Sequence, residues 1–248
     1  MTNIAVATTS QLAADAAHEV AAAGGNAVDC ALAAALLTMN TEPGVCALAG
    51  SAFITIWQDG SDPVTIDGNV AVPGSGLRDE ERGHGAVSVS LDYGNGIETL
   101  VGPGSVSIPG SLAALELAWK RFGKASWQSV FAPSIRATRD GFPLPAACHY
   151  YLGYSGDSIF GRSDDGHSAL HDGNGALKAV GSRIVIPHLS DTLDAIAHEG
   201  ADLFYSGELG ASLSDHCLHG GGMLTREDLS SYRAIERSPL RTQIGDWS

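Results

Sequence analysis

Apolar and polar positions repeat with two different periods along the chain, and the switches between them set the expected order of elements. In residues 10–23, Leu12, Ala16 and Val20 recur at helical spacing, with Ser10 as N-cap and Gly24 as the stop. Asn26 caps the next helix, and Asp29 in its first turn sits at the positive end of the helix dipole. That helix is apolar nearly all round, with Ala31, Ala33, Ala34 and Ala35, so it is expected to be buried with other backbone packed close; Pro43 and Gly44 end it. The period then drops to two. Residues 52–57 and 64–67 read as strands joined by a polar turn at 59–62, and residues 87–91 alternate apolar side chains with Ser. A short buried strand is also expected at residues 4–8.

Past residue 108 the helical period returns. Pro109-Gly110-Ser111 opens a helix over 112–122, with Leu115, Trp119 and Phe122 inward and Gly123 as its end. Helices are expected over 127–140, 145–153, 188–200 and 207–219, and Thr225 to Asp228 starts a last short one reaching Tyr232. Residues 78–85 read as an exposed loop or short helix, 94–104 as turn-rich and 154–175 as the most loop-like stretch. Strands cluster in the first half and helices outnumber them. The expectation is an α+β fold with residues 1–248 as a single domain.

Composition narrows function more than fold. The chain carries 28 acidic against 14 basic residues, a formal net charge of -14. Such a surface disfavours nucleic acid and anionic membrane, whose binding relies on neutralising phosphates, and it favours small-molecule chemistry. The longest apolar run, 30–39, is too short to span a bilayer, and no leader-like segment precedes Ile4. Cys30, Cys46, Cys148 and Cys217 form no CxxC pair, so a reduced, cytoplasmic setting is expected.

Candidate chemistry is sparse. Gly24-Gly25-Asn26 before a helix offers free amides to an anion, but a helix end followed by an N-cap accounts for the same residues. His216-Cys217-Leu218-His219 invites a metal, yet no second ligand pair at zinc-site spacing follows, and histidines suit the negative end of a helix. His167 and His171, among Asp164, Asp165 and Asp172, read as a solvated loop rather than a cation site. No GxSxG elbow is present. Thr2 qualifies as an N-terminal nucleophile by position alone. These residues by themselves name no catalytic group, metal or cofactor. The loop Asp67-Gly68-Asn69, closing the second strand, is where substrate is expected.

Read together, the stretches resemble the large-subunit region of the gamma-glutamyltranspeptidase family. Gly24 to Asp29 is similar to that family's GGNAVDA, and Glu42-Pro43 with Ala49-Gly50-Ser51-Ala52-Phe53 to its HP…GGGGF. Asp67 to Pro73 falls where the family has D-F-R-E-x-A-P, and Ile108 to Ser111 is similar to its TPGT. Ala132-Pro133, Ile135, Arg139 to Phe142, Phe204-Tyr205, Gly207, Gly221 to Thr225, Asp228-Leu229, Tyr232, Glu236 and Pro239 follow in the family's order. The resemblance implies an N-terminal-nucleophile hydrolase with a four-layer αββα sandwich, cut from a precursor before a Thr. That Thr would be nucleophile and, through its amine, its own base, passing an acyl group to water or an amine.

Two departures shape the expectation. No segment here matches the one around the family's catalytic Thr, and the chain stops at Ser248, so a small subunit is expected to supply the nucleophile and oxyanion hole. By direct count, the family Arg that grips the substrate α-carboxylate falls at Asn69, which offers one donor group and no charge. The expected function is therefore cleavage of a small amide or gamma-glutamyl bond, with altered acyl specificity. Asn69 and Gly68 would line the pocket and Asp67 would order the loop. Two alternatives stand beside it: a true gamma-glutamyl enzyme with another cation, such as Arg78, in the Arg role, and a non-catalytic binding or structural homologue that never self-cleaves.

Overall fold

The computed structural model describes residues 4–245. Ser10 caps α1 (Gln11–Ala22) through its hydroxyl, which accepts from the Ala13 amide, and the stripe of Ala13, Ala16, Ala17 and Val20 is buried. The chain reverses at Gly24 (φ +93°), and a Cβ on Gly25 would lie 2.6 Å from Val20 Cγ1. α2 (Ala27–Thr41) opens in a capping box: Asn26 Oδ1 accepts from the Val28 and Asp29 amides, and Asp29 Oδ2 accepts from the Asn26 amide at 2.8 Å.

Asp29 is fully buried, and its carboxylate also takes the backbone N–H groups of Lys124 and Ala125 at 3.0 Å. One side chain thus caps α2 and ties down the loop between α3 (Ser111–Phe122) and α4 (Trp127–Asp140). The anion that the Gly-Gly-Asn turn could cradle is the chain's own carboxylate.

β1 (Ala52–Ile56) and β2 (Val64–Gly68) form the expected hairpin, with Phe53 opposite Asp67 and Thr55 opposite Thr65. β2 also pairs with β7 (Ile235–Arg237), which sets Ile235 beside Asp67 and Arg237 beside Thr65. Strand alternation sends Ile54, Ile56 and Ile66 into the main core, against which α3 packs. The opposite face, holding Phe53, Asp67 and Ile235 in one cross-strand row, is left open: Phe53 is 62% exposed and Ile235 51%.

β3 (Val87–Leu91) and β4 (Ile97–Val101) form a second hairpin, and β5 (Phe142–Pro143) pairs with β6 (Arg183–Ile184). The remaining helices are α5 (Ala146–Ser155), α6 (Asp164–Leu170), α7 (Leu189–Glu199), α8 (Asp202–Tyr205), α9 (Glu208–His219) and α10 (Arg226–Ser231). α7 packs on α4, α4 on α2 and α2 on α1, so the helical layer and the inner sheet face share one core. A smaller cluster of Phe142, Leu144, Cys148, Leu152, Leu170 and Ile184 sits beside it. The architecture is α+β, and among the described residues no helix is long and apolar enough to cross a membrane.

Several segments differ from expectation: the short β5, β6 and α8 are additional elements, and four other segments show the physical reason. Residues 4–8 form no strand and none of them is buried; no neighbouring strand among the described residues supplies a ladder. β4 lies inside the stretch read as turn-rich, where glycines at 94, 96 and 102 mask it; the Ser88 and Ser90 hydroxyls bond Glu98 across the hairpin. The loop-like region contains α6, capped by Ser163 Oγ accepting from the Gly166 amide at 3.1 Å. β7 is exposed at all three positions, so no alternation announces it.

Removing the buried carboxylate tests its role in the fold. Asp29→Ala strands three backbone donors, and it is expected to cost about 3 kcal/mol or more of stability, read as a lowered denaturant midpoint. Asp29→Asn, which retains one acceptor, is expected to lose less. Equal midpoints for wild type and Asp29→Ala would remove Asp29 from the framework.

Candidate functional site

The Asp67-Gly68-Asn69 loop forms where β2 runs into the start of α3. Gly68 is buried, and a Cβ there would lie 2.5 Å from Ala114 Cβ and 2.6 Å from the Gly110 carbonyl oxygen. Gly110 is equally crowded, with the Gly68 carbonyl oxygen 2.3 Å from where its Cβ would stand. α3 has no side-chain cap; the Gly110 and Ser111 amides both donate to the Gly50 carbonyl, at 2.9 and 3.0 Å. The segment corresponding to the Gly-rich run thus serves the helix with backbone alone.

Most polar groups of the loop are held within the chain. Asp67 Oδ1 accepts from the Asn69 amide at 2.9 Å, and its Oδ2 accepts from Arg237 Nε at 2.5 Å. The Arg237 bond, then the Asn69 amide, holds the Asp67 carboxyl below its ordinary value of 3.8. Ser51 Oγ donates to Asn69 Oδ1 at 3.0 Å and accepts from the Val70 amide at 3.2 Å. The Asn69 carbonyl accepts from the Tyr232 hydroxyl at 2.5 Å. Asn69 itself is exposed, so its side-chain nitrogen is presented to solvent as a neutral donor.

Tyr232 stacks on Tyr205, with ring centroids 5.8 Å apart, and Tyr205 donates to the Pro109 carbonyl at 2.9 Å. Burial raises the pKa of both phenols, and the Asp67 charge adds to the shift at Tyr232. Both therefore remain protonated donors at neutral pH. Asp228 anchors the far end of the loop through the Gly74 and Ser75 amides, at 2.8 and 2.9 Å, while capping α10 through Thr225. Burial raises the Asp228 pKa, and the backbone N–H bonds outweigh it, leaving the carboxyl below 3.8.

None of the other candidates bonds to residues 67–69, although His216 and Cys217 line a cavity that Val70 also borders. Arg78 is engaged by Glu80 and Glu81 of its own turn. His216 and His219 occupy the last turn of α9, while Cys217 is buried with Sγ 3.3 Å from the Pro103 carbonyl. His171 is buried rather than solvated, with Nε2 2.9 Å from Asp157 and its ring stacked on His167. Burial, then the Glu42 charge, pushes Cys46 and Cys148 up to about 11, which keeps both as un-ionised thiols. Among the described residues no group of three or more His, Cys, Asp or Glu side chains could hold a metal ion. Thr2 lies outside the described residues.

The family model described as Gamma-glutamyltranspeptidase matches residues 13–248. The chain belongs to that family. A glutathione hydrolase proenzyme of Pseudomonas aeruginosa is 31% identical over 245 residues, covering 98% of this chain and 41% of the relative. The gamma-glutamyltranspeptidase from Pseudomonas nitroreducens complexed with L-DON superposes with a TM-score of 0.81 at 30% identity, over 99% of this chain and 69% of that one. A cephalosporin acylase from Bacillus halodurans gives 0.75 at 28%, over 94% of this chain and 42% of that one. The chain spans about a third to two fifths of the length of the curated relatives it matches, 33% to 41% for the first three.

Three residues hold this loop in ways that the sequence motifs did not announce. Ser51 carried a signal, since it interrupts a Gly-rich run. Arg237 and Tyr232 sit beside or within family motifs, but their reach across 170 and 163 positions is visible only in the fold.

The two depressed carboxyls set a pH dependence. Their contribution to stability is complete above about pH 4 and is lost as pH falls through the lower folded-state values. The gap in thermal midpoint between wild type and Asp228→Asn is therefore expected to be constant from about pH 5 upward and to narrow below about pH 4. A gap independent of pH down to about pH 2 would contradict this account.

Proposed function

We propose that the chain is the large-subunit part of an amide-cleaving hydrolase or acyltransferase. The observation that carries the reading is the loop: in a chain of this family, it stands immobilised on every side yet exposes Asn69. The uncovered sheet face bearing Phe53 and Ile235 supports a second sheet from a small subunit, completing a four-layer αββα sandwich. The proenzyme names of relatives fit a precursor that is cut.

In this reading the new N-terminal Thr of the small subunit attacks the substrate carbonyl, its Oγ proton passing to its own α-amine. The C–N bond breaks, the leaving amine takes that proton, and an acyl ester remains. Water, or a second amine, then attacks the ester and restores the Thr hydroxyl. Asp67, Gly68 and Asn69 contribute position and one neutral donor at the acyl end. Free thiols at Cys30, Cys46, Cys148 and Cys217 support a reducing, cytoplasmic setting.

The glutathione hydrolase relatives suggest a gamma-glutamyl substrate; the cephalosporin acylase neighbour suggests a different amide. Asn69 favours the second, because no permanent charge stands at the position that meets the carboxylate. Intact mass and N-terminal sequencing of the complete protein are expected to give two chains, one led by Thr. A single uncut chain without amidase activity would refute the enzyme. Asn69→Arg is expected to raise kcat/KM for a gamma-glutamyl anilide by about 10- to 100-fold. No gain would leave Asn69 as a turn residue only.

A further inference from the structure

One residue past Asn69 in sequence, the loop turns from polar to apolar. Val70 walls a cavity of about 500 Å³ together with Ala49, Pro103, Val106, Leu213 and Leu224. No Asp, Glu, Lys or Arg lines it, and its one basic group is the imidazole of His216. Ala49 and Leu213 also wall a second cavity of about 400 Å³, bordered by Leu48, Leu193, Ile196 and Phe204, so apolar surface continues away from the loop.

The cations nearest the loop in sequence or by contact are already engaged. Arg237 is bound to Asp67, Arg78 to two glutamates, and Arg82 donates to the Gly74 and Leu77 carbonyls. Among the described residues that line the cavity, none offers a fixed countercharge to a charged acyl group leaving water, a cost that an apolar group does not incur. The same position rewards alkyl or aryl surface, which leaves water on entering the cavity.

We infer that the acyl group of the substrate is uncharged and apolar, seated in the cavity walled by Val70, Val106 and Leu213 with its carbonyl end toward Asn69. This rests on the amide-cleaving reading above and specifies its substrate class. Asn69 then contributes a neutral hydrogen bond to the polar end, and Val70 begins the apolar wall. The cavity exceeds a six-carbon chain in volume, and the second cavity leaves room for a longer or aromatic group.

The test uses the complete protein and two readouts. Calorimetric titration with hexanoate, acetate and L-glutamate reads the cavity without needing turnover; hexanoate is expected to bind at least about tenfold more tightly than acetate, and L-glutamate no better than acetate. Val106→Phe, which fills the cavity, and Val70→Asp, which puts a charge in its wall, are each expected to bring the hexanoate-to-acetate ratio near one. Both positions are partly exposed, and a thermal melt checks that the variants fold. Equal affinity for the two fatty acids, a preference for L-glutamate, or a hexanoate preference that survives both substitutions would overturn the inference. Hydrolysis of hexanoyl and acetyl anilides separates the two proposals. Cleavage without chain-length preference counts against the cavity alone. Hexanoate preference without cleavage of any anilide retains the cavity and overturns the amide-cleaving reading.

Discussion

The end of β2 and the start of α3 meet so closely that neither Gly68 nor Gly110 has room for a Cβ, and the whole site region hangs on that approach. A methyl group on Gly68 would press on Ala114 and the Gly110 carbonyl; one on Gly110 would press on the Tyr232 hydroxyl and the Gly68 and Asn69 carbonyls. Because the two backbones touch, Gly50 can cap α3 with its carbonyl and Tyr232 can reach the carbonyl of Asn69. Rigidity here comes from steric exclusion followed by hydrogen bonding, an inexpensive way to hold a recognition loop in one geometry. The entropy of ordering it is spent during folding, before any ligand arrives.

Buried carboxylates extend that rigidity outward. Asp29 and Asp228 each close a capping box and each also collect backbone N–H groups from a remote segment, the α3–α4 loop and residues 74–75 respectively. An acidic chain thus uses two of its charges as internal acceptors, where many aligned dipoles replace water. Asp67 works similarly on a smaller scale, with Arg237 as its countercharge. Through these bonds, groups of this chain alone hold the loop beside the open sheet face.

Much of this was legible in the sequence because the signals were local. The stops and caps around α1, α2, α4 and α10 are written in neighbouring residues, and α4 spans the residues its pattern predicts. The β1–β2 hairpin was equally plain. β4 and β7 were not, because their strand character derives from a ladder partner rather than from their own alternation; residues 4–8 show the converse, a strand-like pattern with no partner alongside. The loop at residues 67–69 was singled out from motif order, whereas the groups that hold it, Ser51, Tyr232 and Arg237, are brought in by tertiary approach over long separations. Local chemistry is visible one residue at a time, and convergence is not.

Geometry and charge are set independently at this loop. The supports of Asn69 act through its backbone and its side-chain oxygen: Tyr232 holds the carbonyl, Asp67 the amide and Ser51 the Oδ1 atom. None of the backbone bonds depends on which side chain stands at the position, so a neutral residue can replace a cation without moving the loop. In the proposed reading, what such a replacement changes is the chemistry offered to a ligand, from an ion pair to a single neutral donor beside Val70. On the proposed function, a change of specificity at this position would need no rebuilding of the scaffold, since removing a charge from a rigid position also removes the desolvation cost of leaving that charge unpaired. By the same reasoning, an Arg introduced at position 69 would inherit a backbone already held by Asp67 and Tyr232.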